Sequence, residues 1–154
     1  MATVRQVQTA RSTGTGRQVF ETMDASVIES LTETVTVAQF TDGGATAGTY
    51  IMAGSIPAGA TVLGTKVVVP AGFAGDTTAT LQIGDGSTVA RFNTSTVNVF
   101  ATAAAGIDSG VPSGLRLQTA LARVTLTITS SADFTSVVTN ASGILTVSVF
   151  YVQL

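Results

Sequence analysis

The sequence predicts an all-β protein: a two-sheet antiparallel β-sandwich, jelly-roll-like, preceded by an N-terminal extended arm. Three observations predict it. Thr, Val, Ala and Gly dominate the 154 residues and only 10% are charged, a composition that disfavours both a helical bundle and an unfolded chain. Short alternating runs are separated by Gly, Pro, Asp and Ser at roughly 8–12-residue intervals, the cadence of a sandwich. No repeat of fixed period is present, which argues against a solenoid or propeller.

Charge divides the chain before secondary structure does. Residues 1–20 carry Arg5, Arg11 and Arg17 and no acid; residues 21–42 carry Glu21, Asp24, Glu29, Glu33 and Asp42 and no base. The reading is a basic arm over residues 1–19, an acidic linking segment over 20–33 and a nearly neutral body over 34–154. The arm is polar, contains Ser12-Thr13-Gly14-Thr15-Gly16 and shows no sustained periodicity, so alone it is expected to be mobile. Two readings stay open for residues 20–33. Phe20, Met23, Val27, Ile28 and Leu31 recur at helical spacing, whereas the frequent Thr, Ser and Val favour an extended run into the first strand.

From Thr34 the text is strand and turn. Thr34 to Phe40 alternates, and Asp42-Gly43-Gly44 turns. Gly48 to Ala53 is a strand, followed by the turn Ile56-Pro57-Ala58-Gly59. Ala60 to Val69 is a strand interrupted at Gly64, the mark of a bulge or kink. Thr77 to Ile83 and Ser87 to Phe92 flank Gly84-Asp85-Gly86 and read as a hairpin. Thr96 to Thr102 is a strand, Ala103 to Gly114 a loop, and Leu115 to Gln118 a short strand. Arg123 to Ser130 places Val124, Leu126 and Ile128 on one face and Thr125, Thr127 and Thr129 on the other. After a polar loop over 131–143, Ile144 to Gln153 closes the chain. Leu145, Val147, Val149 and Tyr151 share one face there, and the other is partly apolar, which suits a central strand or one covered by a neighbour.

Chemistry is poorly provided for. There is no His, Cys or Trp, which removes the usual zinc ligands, thiol nucleophiles, disulfides and the commonest general base. Asp42, Asp76, Asp85, Asp108 and Asp133 all sit in turn text, where Asp accepts hydrogen bonds from nearby amides. No calcium-loop pattern, P-loop or G-x-S-x-G occurs. The reading is no enzyme, no cofactor and no metal. Three arginines without interleaved aromatics are a weak phosphate-binding signal, so a protein surface is preferred over nucleic acid. No segment reads as a membrane helix, and Met1 to Arg17 lacks the apolar run of a signal peptide.

Seven Lys and Arg against nine Asp and Glu give a net charge of −2, and six of the seven bases are arginine, the cation best suited to interfaces. So few charges leave a surface of Thr, Ser, Gly and apolar patches, which predicts self-association or a lattice contact. Arg5, Arg11 and Arg17 are the candidate contact residues for a capsid or a neighbouring copy.

The run Ile56-Pro57-Ala58-Gly59-Ala60-Thr61-Val62-Leu63-Gly64-Thr65-Lys66-Val67-Val68-Val69 resembles virion structural proteins of tailed bacteriophages. Its continuation from Phe73 through Thr80-Leu81-Gln82-Ile83-Gly84-Asp85, and the closing Gly143-Ile144-Leu145-Thr146-Val147-Ser148-Val149-Phe150-Tyr151, carry the same resemblance. The resemblance spans residues 56–154 and is strongest to capsid decoration (cement) proteins. It implies a homotrimer on the capsid exterior of a virion that bridges neighbouring major capsid protein subunits. A tail, neck or head-fibre component is the alternative within virions, and a carbohydrate-binding β-sandwich module the alternative outside them.

Overall fold

The computed structural model describes residues 10–13, 17–20, 27–94, 96–100, 107–108, 110–111, 116–140 and 142–153; for 10–13, 17–20, 107–108 and 140 it describes the backbone. Two antiparallel sheets face each other. One has the order β4-β5-β10-β7-β8, and the other β3-β11-β6-β9. Their strands are β3 (Ile28–Thr36), β4 (Thr41–Asp42), β5 (Ala47–Ile56), β6 (Ala60–Ala71), β7 (Ala79–Gly84), β8 (Val97–Asn98), β9 (Ile107–Asp108), β10 (Ala122–Ser130) and β11 (Ile144–Gln153). The expected all-β two-sheet sandwich is what the chain forms.

Alternation builds the core. β11 buries Leu145, Val147, Val149 and Tyr151, and β10 buries Val124, Leu126 and Ile128. Each such side chain withdrawn from water is worth roughly 1.5–3 kcal/mol. β11 lies between β3 and β6, with Val149 opposite Leu31 on one side and Thr65 on the other. The register of β6 slips where Phe150 faces Gly64 and Tyr151 faces Val62, so a bulge sits at Leu63 beside the glycine that marked it.

The remaining expectations divide. Residues 28–33 take the extended alternative, because Leu31, Glu33 and Val35 turn inward at period two and the whole strand pairs with β11. The helical reading of 20–33 therefore fails over Ile28 to Glu33, and Phe20 is in a strand too. Within the arm, β1 (Ala10–Thr13) and β2 (Arg17–Phe20) pair with each other as an antiparallel ribbon separate from both sheets. The strand expected over Thr34 to Phe40 stops at Thr36, where a 3-10 turn over Val37–Gln39 begins and Thr36 N–H donates to Gln39 Oε1 at 2.8 Å. Ser87 to Phe92 is not a strand. Asp85 instead accepts hydrogen bonds from the Ser87 and Thr88 amides, winding the segment into a compact loop. A short helix, α1 (Thr135–Asn140), occupies part of the expected 131–143 loop.

One end of the core is aromatic. Phe40 packs edge-on against Phe73 at 6.0 Å between centroids and lies 6.3 Å from Phe134. Two glycines make room for these rings. A Cβ on Gly48 would stand 2.0 Å from Phe134 Cε1, and one on Gly143, whose φ is +119°, would stand 2.2 Å from Phe73 Cδ1. Gly48→Ala is expected to destabilise the fold by about 1–3 kcal/mol through forced displacement of Phe134, read as a lower midpoint in chemical denaturation.

Candidate docking surfaces

The outward positions of both sheets are poor in charge. On the four-stranded sheet, β3 presents Ile28, Ser30, Thr32 and Thr34, and β11 presents Thr146, Ser148, Phe150 and Val152. Lys66 on β6 is the charged residue among the described members of that face. Hydroxyl pairs knit it laterally, Thr32 to Ser148 at 2.9 Å and Thr34 to Thr146 at 2.8 Å. On the five-stranded sheet, Thr49, Ile51, Thr127, Thr129, Thr80 and Gln82 lie outward, with Arg123 at one end.

Charge sorts along the length of the sandwich instead. At one end a row runs across the sheet from Ile28 to Val152 to Thr61 to Leu117. The 116–121 segment is pinned there by Gly59 N–H to Gln118 O at 2.7 Å and Gln118 N–H to Ala60 O at 2.9 Å. Beside it lies a cleft of about 250 Å³ lined by Asp85, Arg91 and residues 118–123. Arg91 Nε stands 3.3 Å from Asp85 Oδ2, the one ion pair among the described residues, and donates to Gln118 Oε1 at 3.2 Å. Arg116 and Arg123 are exposed on the same end, with Leu117 at 55% and Leu121 at 65% exposure. Ile28 and Val27 add a further exposed apolar pair. Three of the four described side-chain cations thus gather here, beside two acids, Asp85 and Glu29.

The opposite end carries Asp42, Asp76 and Asp133 and, among the described residues, no base. These carboxylates hold loops. Asp42 accepts from Gly44 N–H at 2.8 Å and Thr135 Oγ1–H at 2.6 Å, and Asp133 from Thr135 N–H at 2.9 Å. Asp76 joins two loops, accepting from Thr77 N–H, Ser131 Oγ–H and Ala132 N–H, each at 2.6 Å. The Ser131 hydroxyl chiefly, against partial desolvation and with help from the amides of Thr77, Ala132 and Ser131, holds the Asp76 carboxyl down at about 2 from its ordinary 3.8. Burial opposes ionisation of Asp85, but the Thr88 and Ser87 hydrogen bonds and the Arg91 charge together leave its carboxyl below the ordinary value.

The acids of β3 have partners of their own. Tyr50 donates its hydroxyl to Glu33, whose other oxygen accepts Ala53 N–H at 2.9 Å, and Tyr151 donates to Glu29 at 2.9 Å. The Tyr50 hydroxyl is pushed above its ordinary value by that hydrogen bond first, then by desolvation and the Glu33 charge. For Tyr151 burial leads, followed by the bond to Glu29. Sequence reading missed these pairs. The signal was the even spacing of Glu29, Leu31, Glu33 and Val35, which is one face of a strand.

Of the residues singled out from sequence, Arg5 lies outside the described residues. Arg11 falls on β1 opposite Val19, and Arg17 on β2 opposite Thr13. The ribbon that carries them leads into β3 at the Ile28 end of the sandwich, the end that gathers Arg91, Arg116 and Arg123. No group of three or more Asp and Glu is placed to hold a metal ion among the described residues, and no described helix is long and apolar enough to cross a membrane.

No protein-family model matches the chain, and no curated protein matches it. Among solved structures, a chain of the cyanophage Pam1 capsid asymmetric unit is similar, with a TM-score of 0.58 and 21% identity over 94% of this chain and 98% of that one. At that identity the likeness shows a shared fold, matched nearly end to end.

Because the folded carboxyl of Asp76 titrates below its ordinary value, its contribution to stability is present above pH 3.8 and is lost as pH falls toward about 2. Asp76→Asn is expected to make the acid limb of a stability–pH profile shallower across that window, as measured by denaturant midpoints at stepped pH.

Proposed function

We propose that the chain is a non-enzymatic structural protein of a tailed-phage virion: a decoration (cement) protein that binds the capsid exterior and bridges neighbouring major capsid subunits. The observation that carries this reading is the end-to-end match to a chain of a capsid asymmetric unit. The match runs through both chains almost completely. The strand order supports a jelly roll, with β3-β11-β6-β9 against β5-β10-β7-β8 and the chain crossing between sheets at most connections. The low-charge sheet faces support burial against neighbours, and a homotrimer is the assembly the reading favours.

A clamp of this kind needs no reaction. Many copies, each with modest contacts to two subunits, resist outward pressure because dissociation of one contact leaves the other holding. The carboxylates support the same reading, since Asp42, Asp76, Asp85 and Asp133 accept loop amides and Glu29 and Glu33 accept tyrosine hydroxyls. Arg5, Arg11 and Arg17 are the arm's contact residues in this reading.

The purified chain is expected to co-sediment with heads of its own phage that lack it and to raise the temperature at which they release DNA. A variant without residues 1–19 is expected to stay folded but remain in the supernatant; normal decoration by that variant would overturn the role given to the arm. Light-scattering mass in solution is expected to report three chains, and a monomer at high concentration would contradict the trimer.

A further inference from the structure

We infer that the end of the sandwich bearing Arg116, Leu117, Leu121 and Arg123 is the surface that seats on the capsid, and that it fits an acidic patch with apolar residues on the capsid protein. The inference rests on the function proposed above and names its contact face. Three independent features meet at this end. Its three arginines, Arg91, Arg116 and Arg123, outnumber the two acids there, Asp85 (paired with Arg91) and Glu29 (bonded to Tyr151), whereas the far end carries Asp42, Asp76 and Asp133 and no described base. Of the seven large hydrophobic side chains exposed among the described residues, Val27, Ile28, Leu117 and Leu121 lie here. The segment with Arg5, Arg11 and Arg17 joins the body here, where β3 begins.

The chemistry of the end selects the partner. Guanidinium groups flanked by leucine fit carboxylates set among apolar side chains, with the apolar contact excluding water and strengthening the charge pairing. A phosphate backbone would leave Leu117 and Leu121 without a counterpart. A second copy docked head to tail would bring the acidic end to the basic one. That end offers Ile144 as its exposed large apolar side chain, and its three aspartates are already committed to loop hydrogen bonds. The 116–121 segment is also held firmly enough to present these side chains, through the Gln118 backbone bonds, the Gln118 side chain donating to Arg116 O at 2.9 Å, and the Arg91–Asp85 clamp.

The test compares binding of full-length variants to heads of the encoding phage stripped of this chain, with folding checked by circular dichroism. Arg116→Gln/Arg123→Gln is expected to bind about tenfold more weakly or worse, with a shallower dependence on salt. Leu117→Ser/Leu121→Ser, which changes no charge, is expected to weaken binding as well. Thr46→Glu/Thr78→Glu shifts the net charge as much as the arginine pair but sits exposed at the far end, and is expected to bind like the parent. The inference is overturned if the arginine and leucine pairs bind like the parent or if the far-end pair weakens binding equally. It is also overturned if the arginine pair lowers the solution mass while head binding persists, since a second copy would then cover this end. If the parent chain itself does not bind heads, the proposed function fails first.

Discussion

The fold depends on pairing between the last strand and the first strand of the body. β11 is central in its sheet and takes β3 on one edge and β6 on the other, so Leu31 and Thr65 meet across Val149 despite their distance in sequence. Without β11, β3 has no hydrogen-bonded partner in the sheet, and the inward row Leu145, Val147, Val149 and Tyr151 leaves the core. The entropy of closing so long a loop must be paid before this non-local pairing stabilises anything, which makes for slow folding. β3 is then braced twice more, by Tyr151 to Glu29 within the sheet and by Tyr50 to Glu33 across to the facing one. The acidic segment is thereby stitched to the body, and the preceding basic segment is anchored at a defined end of it.

Much of this was legible in the chain. The strands with clean alternation, β10 and β11, were readable to within a residue or two because each has one fully buried face and period two is unambiguous there. The bulge beside Gly64 was readable because a glycine interrupts an otherwise regular strand. What failed did so where a local signal was overruled by a distant partner. Ile28 and Leu31 fit a helical spacing as well as a strand, and pairing with β11 decides between them. Gly84-Asp85-Gly86 carries a hairpin composition, but the Asp85 carboxylate gathers the next amides and Arg91, so the return stretch coils. The arginine-bearing end was less visible still. Arg91, Arg116 and Arg123 are scattered in sequence among neutral residues, and the loop hydrogen bonds at Gly59, Ala60 and Gln118 bring them together.

The charge count acquires a direction from the fold. A net charge of −2 spread evenly would say little about partners. Here the sheet faces are nearly neutral. One end has three arginines against Asp85 and Glu29, with exposed apolar side chains, and the other has Asp42, Asp76 and Asp133, already hydrogen-bonded, and no described base. The two ends and the two sheet faces thus differ in chemistry. The proposed seating on a capsid would use that difference between the ends.

The proposed virion role is tested most directly by cryo-electron microscopy of particles from a phage whose genome encodes this chain. The expected result is sandwich density on the outside of the head shell, with the Arg116–Arg123 end toward the capsid protein and the Asp42–Asp76–Asp133 end toward solvent. Density for the chain confined to the tail, neck or fibres, or seated by its acidic end, would contradict it.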